Sequence, residues 1–212
     1  MPTPTEVAAI LGALGARGDW RAARDRALCL FLTSTASRIS AARNLDAADC
    51  HVMSDGTIRT MLYQKSHRTP REVELSEDTA VALRYYVALA NASSVAPPLA
   101  LGTHGPVWRA ERGGKLPDQA FRDALRAACA RAGVQDYTPH AFRRFWATQA
   151  SLKLSRWEAA LGGGWKGTAQ FDAHYAQPSR TDVWAKLGRL DTSSASAPVF
   201  EAYERELAVP SP

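Results

Sequence analysis

Apolar residues recur at helical spacing along most of the chain and at alternating spacing in one short stretch. Residues 2–15 read as a short helix opened by Thr3 or Thr5 and ended by Gly15 and Gly18. Asp19 is placed to cap a second helix over residues 21–32, whose apolar positions include Ala27, Leu28, Leu30, Phe31 and Leu32. A third helical segment begins near Ser37 and carries Arg38, and residues 44–49 form a loop entrance. The pattern then changes. Residues 51–53, 57–63 and 71–75 favour extended structure, Ser54-Asp55-Gly56 is a hairpin turn signal, and residues 65–70 form a polar connection containing Pro70. These features predict a small three-stranded antiparallel sheet.

Helix returns over residues 76–91, with Ser76 as cap and Glu77 and Asp78 in the first turn. After a loop at 92–98, a helix over 118–132 stops at Gly133, and Pro139 suits the first turn of another that runs over 140–152. A short helix at 155–161 is broken by Gly162-Gly163-Gly164, and further short helices are expected over 168–176 and 181–187. Residues 191–198 are a Ser/Ala/Pro linker, followed by an amphipathic segment at 199–207 in which Phe200, Tyr203 and Leu207 form one apolar stripe. The fold class is α+β, mostly helical with one small sheet. The expected organisation is a single domain over residues 1–190 and a linker with a helical tail over 191–212.

Composition narrows the picture modestly. With 46% apolar residues the chain can bury a real core, and 26 Lys and Arg against 21 Asp and Glu give a net charge of +5 and a pI near 9.3. That balance is compatible with a phosphate-rich partner. The order of the cations says more than their number. They cluster at residues 65–71, at Arg109, Arg112 and Lys115, and at the pair Arg143-Arg144. The three cysteines, Cys29, Cys50 and Cys129, lack CxxC spacing and read as small buried apolar residues in a reducing compartment. No stretch has the roughly 18 consecutive apolar residues of a membrane span, and no secretory signal is visible, so a cytoplasmic protein is expected.

One segment carries candidate chemistry. Thr138-Pro139-His140-Ala141-Phe142-Arg143-Arg144 contains H-x-x-R, and residues three apart share a helix face. His140 can shuttle a proton, and the planar fork of Arg143 matches two phosphate oxygens. By itself this spacing is common. It gains weight from its neighbours in order: Thr35-Ala36-Ser37-Arg38-Ile39-Ser40 after an apolar helix, Lys65 where the second strand meets its connection, Gly164-Trp165 after the H-x-x-R helix, and Tyr175 ten residues beyond Trp165.

This order resembles the active site of the tyrosine recombinases, the phage-integrase family, and residues 138–148 are very similar to that family's central motif. The resemblance covers roughly residues 19–180. It implies a DNA strand-exchange enzyme with a tyrosine-recombinase-like catalytic domain. In that reading Tyr175 is the nucleophile that forms a 3′-phosphotyrosine link, and Arg38 and Arg143 clamp the non-bridging oxygens. Lys65 protonates the leaving 5′-oxygen, His140 assists proton transfer, and Trp165 donates its indole N–H to the phosphate. The two arginines supply the positive charge, so no metal and no cofactor are implied. Arg68, Arg71, Arg144 and Lys166 are the expected contacts to double-stranded DNA, chiefly to its backbone and with strong salt dependence. A homotetramer on DNA, coupled through the 199–207 segment, is also implied.

The sequence departs from the family pattern in three ways. Ala41 stands three positions after Arg38, where an acidic residue is usual. Leu161-Gly162-Gly163-Gly164-Trp165 replaces the usual Leu-Gly-His, and the step from Trp165 to Tyr175 is ten residues where nine is usual. About 20 residues precede the pattern, where most members carry an N-terminal helical domain. A non-cutting DNA-binding regulator on the same fold and a type IB topoisomerase-like relaxase are therefore the alternatives at this point.

Overall fold

A computed structural model of the chain describes residues 1–63, 70–94, 96 and 98–174. Eight α-helices and one sheet are formed by these residues. In chain order they are α1 (Pro4–Gly15), α2 (Trp20–Thr35), α3 (Ile39–Arg43), a single 3-10 turn (Ala47–Asp49), β1 (Cys50–Val52), β2 (Ile58–Leu62), β3 (Arg71–Glu74), α4 (Glu77–Ala92), α5 (Asp118–Arg131), α6 (Pro139–Ser151), α7 (Arg156–Gly163) and α8 (Thr168–His174). None of the described helices is long and apolar enough to cross a membrane.

α2 is the central element. It packs against α1, α4 and α6, and it buries residues on all sides, including Ala23, Ala27, Leu28, Phe31 and Leu32. A helix buried all round must satisfy any polar side chain it carries. Arg24 and Asp25 do so locally: Arg24 Nε donates to Asp25 Oδ1 at 2.9 Å and its Nη1 donates to the Arg109 carbonyl at 2.7 Å. Burial raises the pKa of the Asp25 carboxyl, and the charge of Arg24 opposes that shift. Asp19 caps α2 by accepting from the Ala22 amide at 2.7 Å.

The sheet has the expected order β1-β2-β3, antiparallel throughout. Cys50 pairs with Thr60, Val52 with Ile58, Arg59 with Glu74 and Leu62 with Arg71. Along β2 the inward residues Ile58, Thr60 and Leu62 are buried, while Arg59 faces outward and pairs with Glu74 at 3.1 Å. The turn between β1 and β2 is closed by the Asp55 carboxylate, which accepts from the Thr57 amide at 2.9 Å. The long segment between α4 and α5 is anchored by Trp108. Its indole donates to the Ala42 carbonyl at 2.8 Å, and its ring meets Phe31 edge-on and stacks on Tyr86.

Several boundaries differ from the sequence reading. Arg38 is the N-cap of α3 rather than a residue within it, because α2 runs on to Thr35 and the chain then turns sharply. Ser76 occupies the N-cap of α4 but makes no capping bond; its hydroxyl instead pairs with Thr79 Oγ1 at 2.9 Å. α7 continues to Gly163, and Gly164 ends it in the left-handed region. Cys29, Cys50 and Cys129 are buried thiols, and burial pushes the Cys50 thiol up to about 12. The expected helices at 181–187 and 199–207 and the linker at 191–198 lie outside the described residues.

Candidate active site

The site forms where the C-terminal end of α2, the first turns of α6 and the C-terminal end of α7 meet. Thr35 closes α2, and its hydroxyl donates to the Phe31 carbonyl at 2.6 Å. Ala36 then adopts φ 54°, a left-handed conformation that costs an alanine on the order of 1–2 kcal/mol. This turn reverses the chain into the extended residue Arg38 (φ −71°, ψ 146°), which opens α3 half-buried.

Pro139 sits in the first turn of α6, where its missing N–H leaves no bond unmade. His140 and Arg143 follow one turn apart. Arg143 points inward and is only 1% exposed. Its Nη1 donates to the Ala36 carbonyl and to the Gly163 carbonyl, the latter at 3.1 Å. Its guanidinium carbon lies 3.8 Å from the centre of the Trp165 ring, a cation–π contact. The buried arginine therefore ties three segments together.

Trp165 is 5% exposed and lies in a small second core. Ala147 and Ala150 of α6 and Ala159 and Ala160 of α7 supply its small-residue walls. Its ring stacks on Trp146 at 6.0 Å and meets Phe171 of α8 edge-on at 5.1 Å. The glycine run before it is a packing requirement as well as a helix stop. A Cβ on Gly163 would lie 1.7 Å from Cζ3 of Trp165 and 2.7 Å from Cζ3 of Trp146. Gly164 needs φ 70°, which glycine adopts without strain.

His140 keeps an open face to solvent. Partial burial lowers its pKa below the ordinary 6.5, and the positive charges of Arg143, Arg144 and Arg38 lower it further. These cations act on one imidazole, which places Arg38, His140, Arg143 and Arg144 in one electrostatic neighbourhood. The sign of the consequence is definite. A histidine whose folded pKa is depressed binds fewer protons folded than unfolded, so stability falls as pH drops below about 6.5. His140→Gln is expected to flatten that part of the stability–pH curve, measured by urea melts between pH 5 and 8. An NMR titration of the His140 Cε1–H should give a midpoint below 6.5; a midpoint above it would contradict the arrangement.

The remaining sequence candidates divide clearly. Arg144 and Lys166 are exposed beside the site. Arg71 is drawn inward: its Nη2 donates to the Thr35 carbonyl at 2.7 Å and its Nη1 to the Gly162 carbonyl. Lys65, Arg68 and Tyr175 lie outside the described residues; Tyr175 directly follows His174, the last residue of α8. Of the second basic cluster, Arg109 is buried and donates to the Pro98 and Pro106 carbonyls, which makes it a loop anchor. Sequence reasoning missed Trp146 and the packing role of Gly163. The available signal was that Trp146 lies one turn from Arg143 on α6, next to a row of alanines.

The phage integrase family model matches residues 3–154, most of the chain, including Arg38, His140 and Arg143. The chain belongs to the phage integrase family. Among curated members of this family it is 32% identical over 192 residues to the tyrosine recombinase XerD of Mycobacterium leprae (strain TN), covering 86% of this chain and 59% of that protein. It is 31% identical over 133 residues to the tyrosine recombinase XerC of Methylobacterium sp. (strain 4-46), covering 62% of this chain and 38% of that one. The chain thus spans between about two fifths and three fifths of the length of these family members. Its fold is that of the XerA recombinase crystal structure, with a TM-score of 0.70 at 18% identity over 90% of this chain and 63% of that one. The XerH site-specific recombinase bound to a palindromic difH substrate in a post-cleavage complex gives 0.69 at 15% identity over 92% and 52%.

Proposed function

We propose that this protein is a site-specific DNA recombinase that cuts and rejoins strands through a 3′-phosphotyrosine intermediate. The observation that carries this reading is the convergence of Arg38, His140, Arg143 and Trp165 on the meeting point of α2, α6 and α7, with family membership behind it. Attack on a phosphodiester places extra negative charge on the non-bridging oxygens, and two fixed guanidiniums stabilise that charge where it develops. Arg143 is held by backbone carbonyls and an indole face, so little reorganisation is needed during reaction.

In this reading the phenolic oxygen of Tyr175 attacks phosphorus, the bond to the 5′-oxygen breaks, and Lys65 protonates the leaving 5′-hydroxyl. His140, neutral at pH 7 because its pKa is lowered, accepts the tyrosine proton. Rejoining is the reverse: a 5′-hydroxyl displaces the tyrosine and the phosphodiester is restored. Arg144 and Lys166 contact backbone phosphates beside the site, with Arg68 contributing from the β2–β3 connection. A tetramer on DNA would bring two such cuts together for exchange.

The test is covalent capture. The protein is incubated with sheared DNA of its source organism and quenched with SDS, and protein-linked fragments are recovered and sequenced. The reading predicts one recurrent junction sequence, with protein on 3′ ends and a 5′-hydroxyl on the partner strand. Linked fragments absent from every preparation, with DNA binding retained, would overturn it.

A further inference from the structure

Arg71 opens β3 and was read from the sequence as a DNA contact, yet its guanidinium lies between the same two helix ends that Arg143 joins. Arg71 donates to the carbonyls of Thr35 and Gly162. Arg143 donates to the next carbonyl in each segment, those of Ala36 and Gly163. Two guanidiniums therefore link consecutive carbonyls at the end of α2 to consecutive carbonyls at the end of α7. These are the groups a helix leaves unbonded at its negative end, where cations are favoured. Burial strips water from Arg71 and lowers its pKa to about 10, which leaves it charged at neutral pH.

We propose that Arg71 is a positioning residue for strand cleavage: with Arg143 it holds the end of α2 against the end of α7, and so sets the distance between Arg38, three residues past Thr35, and Trp165, three past Gly162. The inference rests on the recombinase reading above. A single lysine ammonium lacks the planar fork that spans two carbonyls. Without the Arg71 bridge, Arg143 is left as the guanidinium that links the two helix ends. A displacement of about 1 Å among the groups around a reacting phosphate costs about 100-fold in rate. A direct phosphate contact makes a different prediction, because it contributes to affinity and to its salt dependence.

The experiment compares wild type, Arg71→Lys and Arg71→Met on a nicked duplex carrying the junction sequence recovered by covalent capture. Single-turnover adduct formation, DNA affinity across a salt series and thermal melting are measured for each. The expected result is a roughly 100-fold slower adduct rate in both variants, with affinity within about twofold of wild type and an unchanged salt slope. Rates are taken well below each melting temperature, where lost stability alone does not move them. If Arg71→Met fails to fold, Arg71→Lys decides, since it keeps the charge and most of the stem.

Weaker binding with a salt slope shallower by about one would make Arg71 a phosphate contact and overturn the proposal. Wild-type rates in a folded variant would overturn it alone and leave the recombinase reading standing. Absence of adduct from the wild type would instead sink that reading, and this inference with it.

Discussion

Arg143→Ala is expected to lower folding stability by about 4 kcal/mol or more and to abolish measurable strand cleavage. The stability loss has three sources. The carbonyls of Ala36 and Gly163 lose a charged donor, and each buried acceptor left without one costs about 1–3 kcal/mol. The cation–π contact with Trp165 at 3.8 Å is lost from a desolvated site, where such contacts contribute about 2 kcal/mol. The left-handed turn at Ala36 also loses the bond that helps hold it. Arg143→Lys separates structure from chemistry. It keeps charge and stem but not the fork, so it should fold with a smaller loss and cleave about 10²–10³-fold more slowly. Urea melts and single-turnover cleavage measure the two effects. A stable Arg143→Ala protein with near wild-type cleavage would contradict the geometry.

Gly163→Ala should cost about 3 kcal/mol or more, at the upper end of what overpacking does. The added methyl would fall inside the Trp165 ring, 1.7 Å from Cζ3 and 2.4 Å from Cε3. The ring has nowhere to retreat. Arg143 lies on its face, Trp146 stacks on it and Phe171 meets it edge-on. The expected fall in Tm is roughly 6–12 °C for a chain of this size. Under the proposed mechanism cleavage should fall with it, because that reading assigns the Trp165 indole to the phosphate. Gly162→Ala is the matched control: its Cβ would meet Trp146 at an ordinary 3.5 Å. Equal melting temperatures for the two variants would show that the indole pair is not packed as described.

Much of the fold was legible because its signals are local. Asp19 before an apolar helix, Asp55-Gly56 between alternating strands and Pro139 at a helix start each act through their own backbone neighbours. The H-x-x-R pair was legible for the same reason, since one helix turn sets its spacing. What the sequence did not show depends on contacts distant in the chain. Arg71 reaches Thr35 and Gly162, which lie 36 and 91 residues away, and in sequence it is one more cation in a basic run. Arg109 stands in sequence as one of a group of cations with Arg112 and Lys115, and the loop carbonyls of Pro98 and Pro106 draw it into the interior. The glycine run at 162–164 read as a helix stop. Its second cause, two indoles against Gly163, needs Trp146 of α6 and Trp165 to meet in space.

The central claim is that a tyrosine of this chain becomes covalently joined to DNA, and Tyr175→Phe tests it most directly. Wild type and variant are incubated with a radiolabelled nicked duplex carrying the captured junction and resolved on a denaturing protein gel. The account predicts a shifted labelled band from the wild type, no band from Tyr175→Phe, and equal DNA binding by both. A band that survives the substitution would move the nucleophile to another residue. No band from either protein, with binding retained, would make the chain a DNA-binding protein that does not cut.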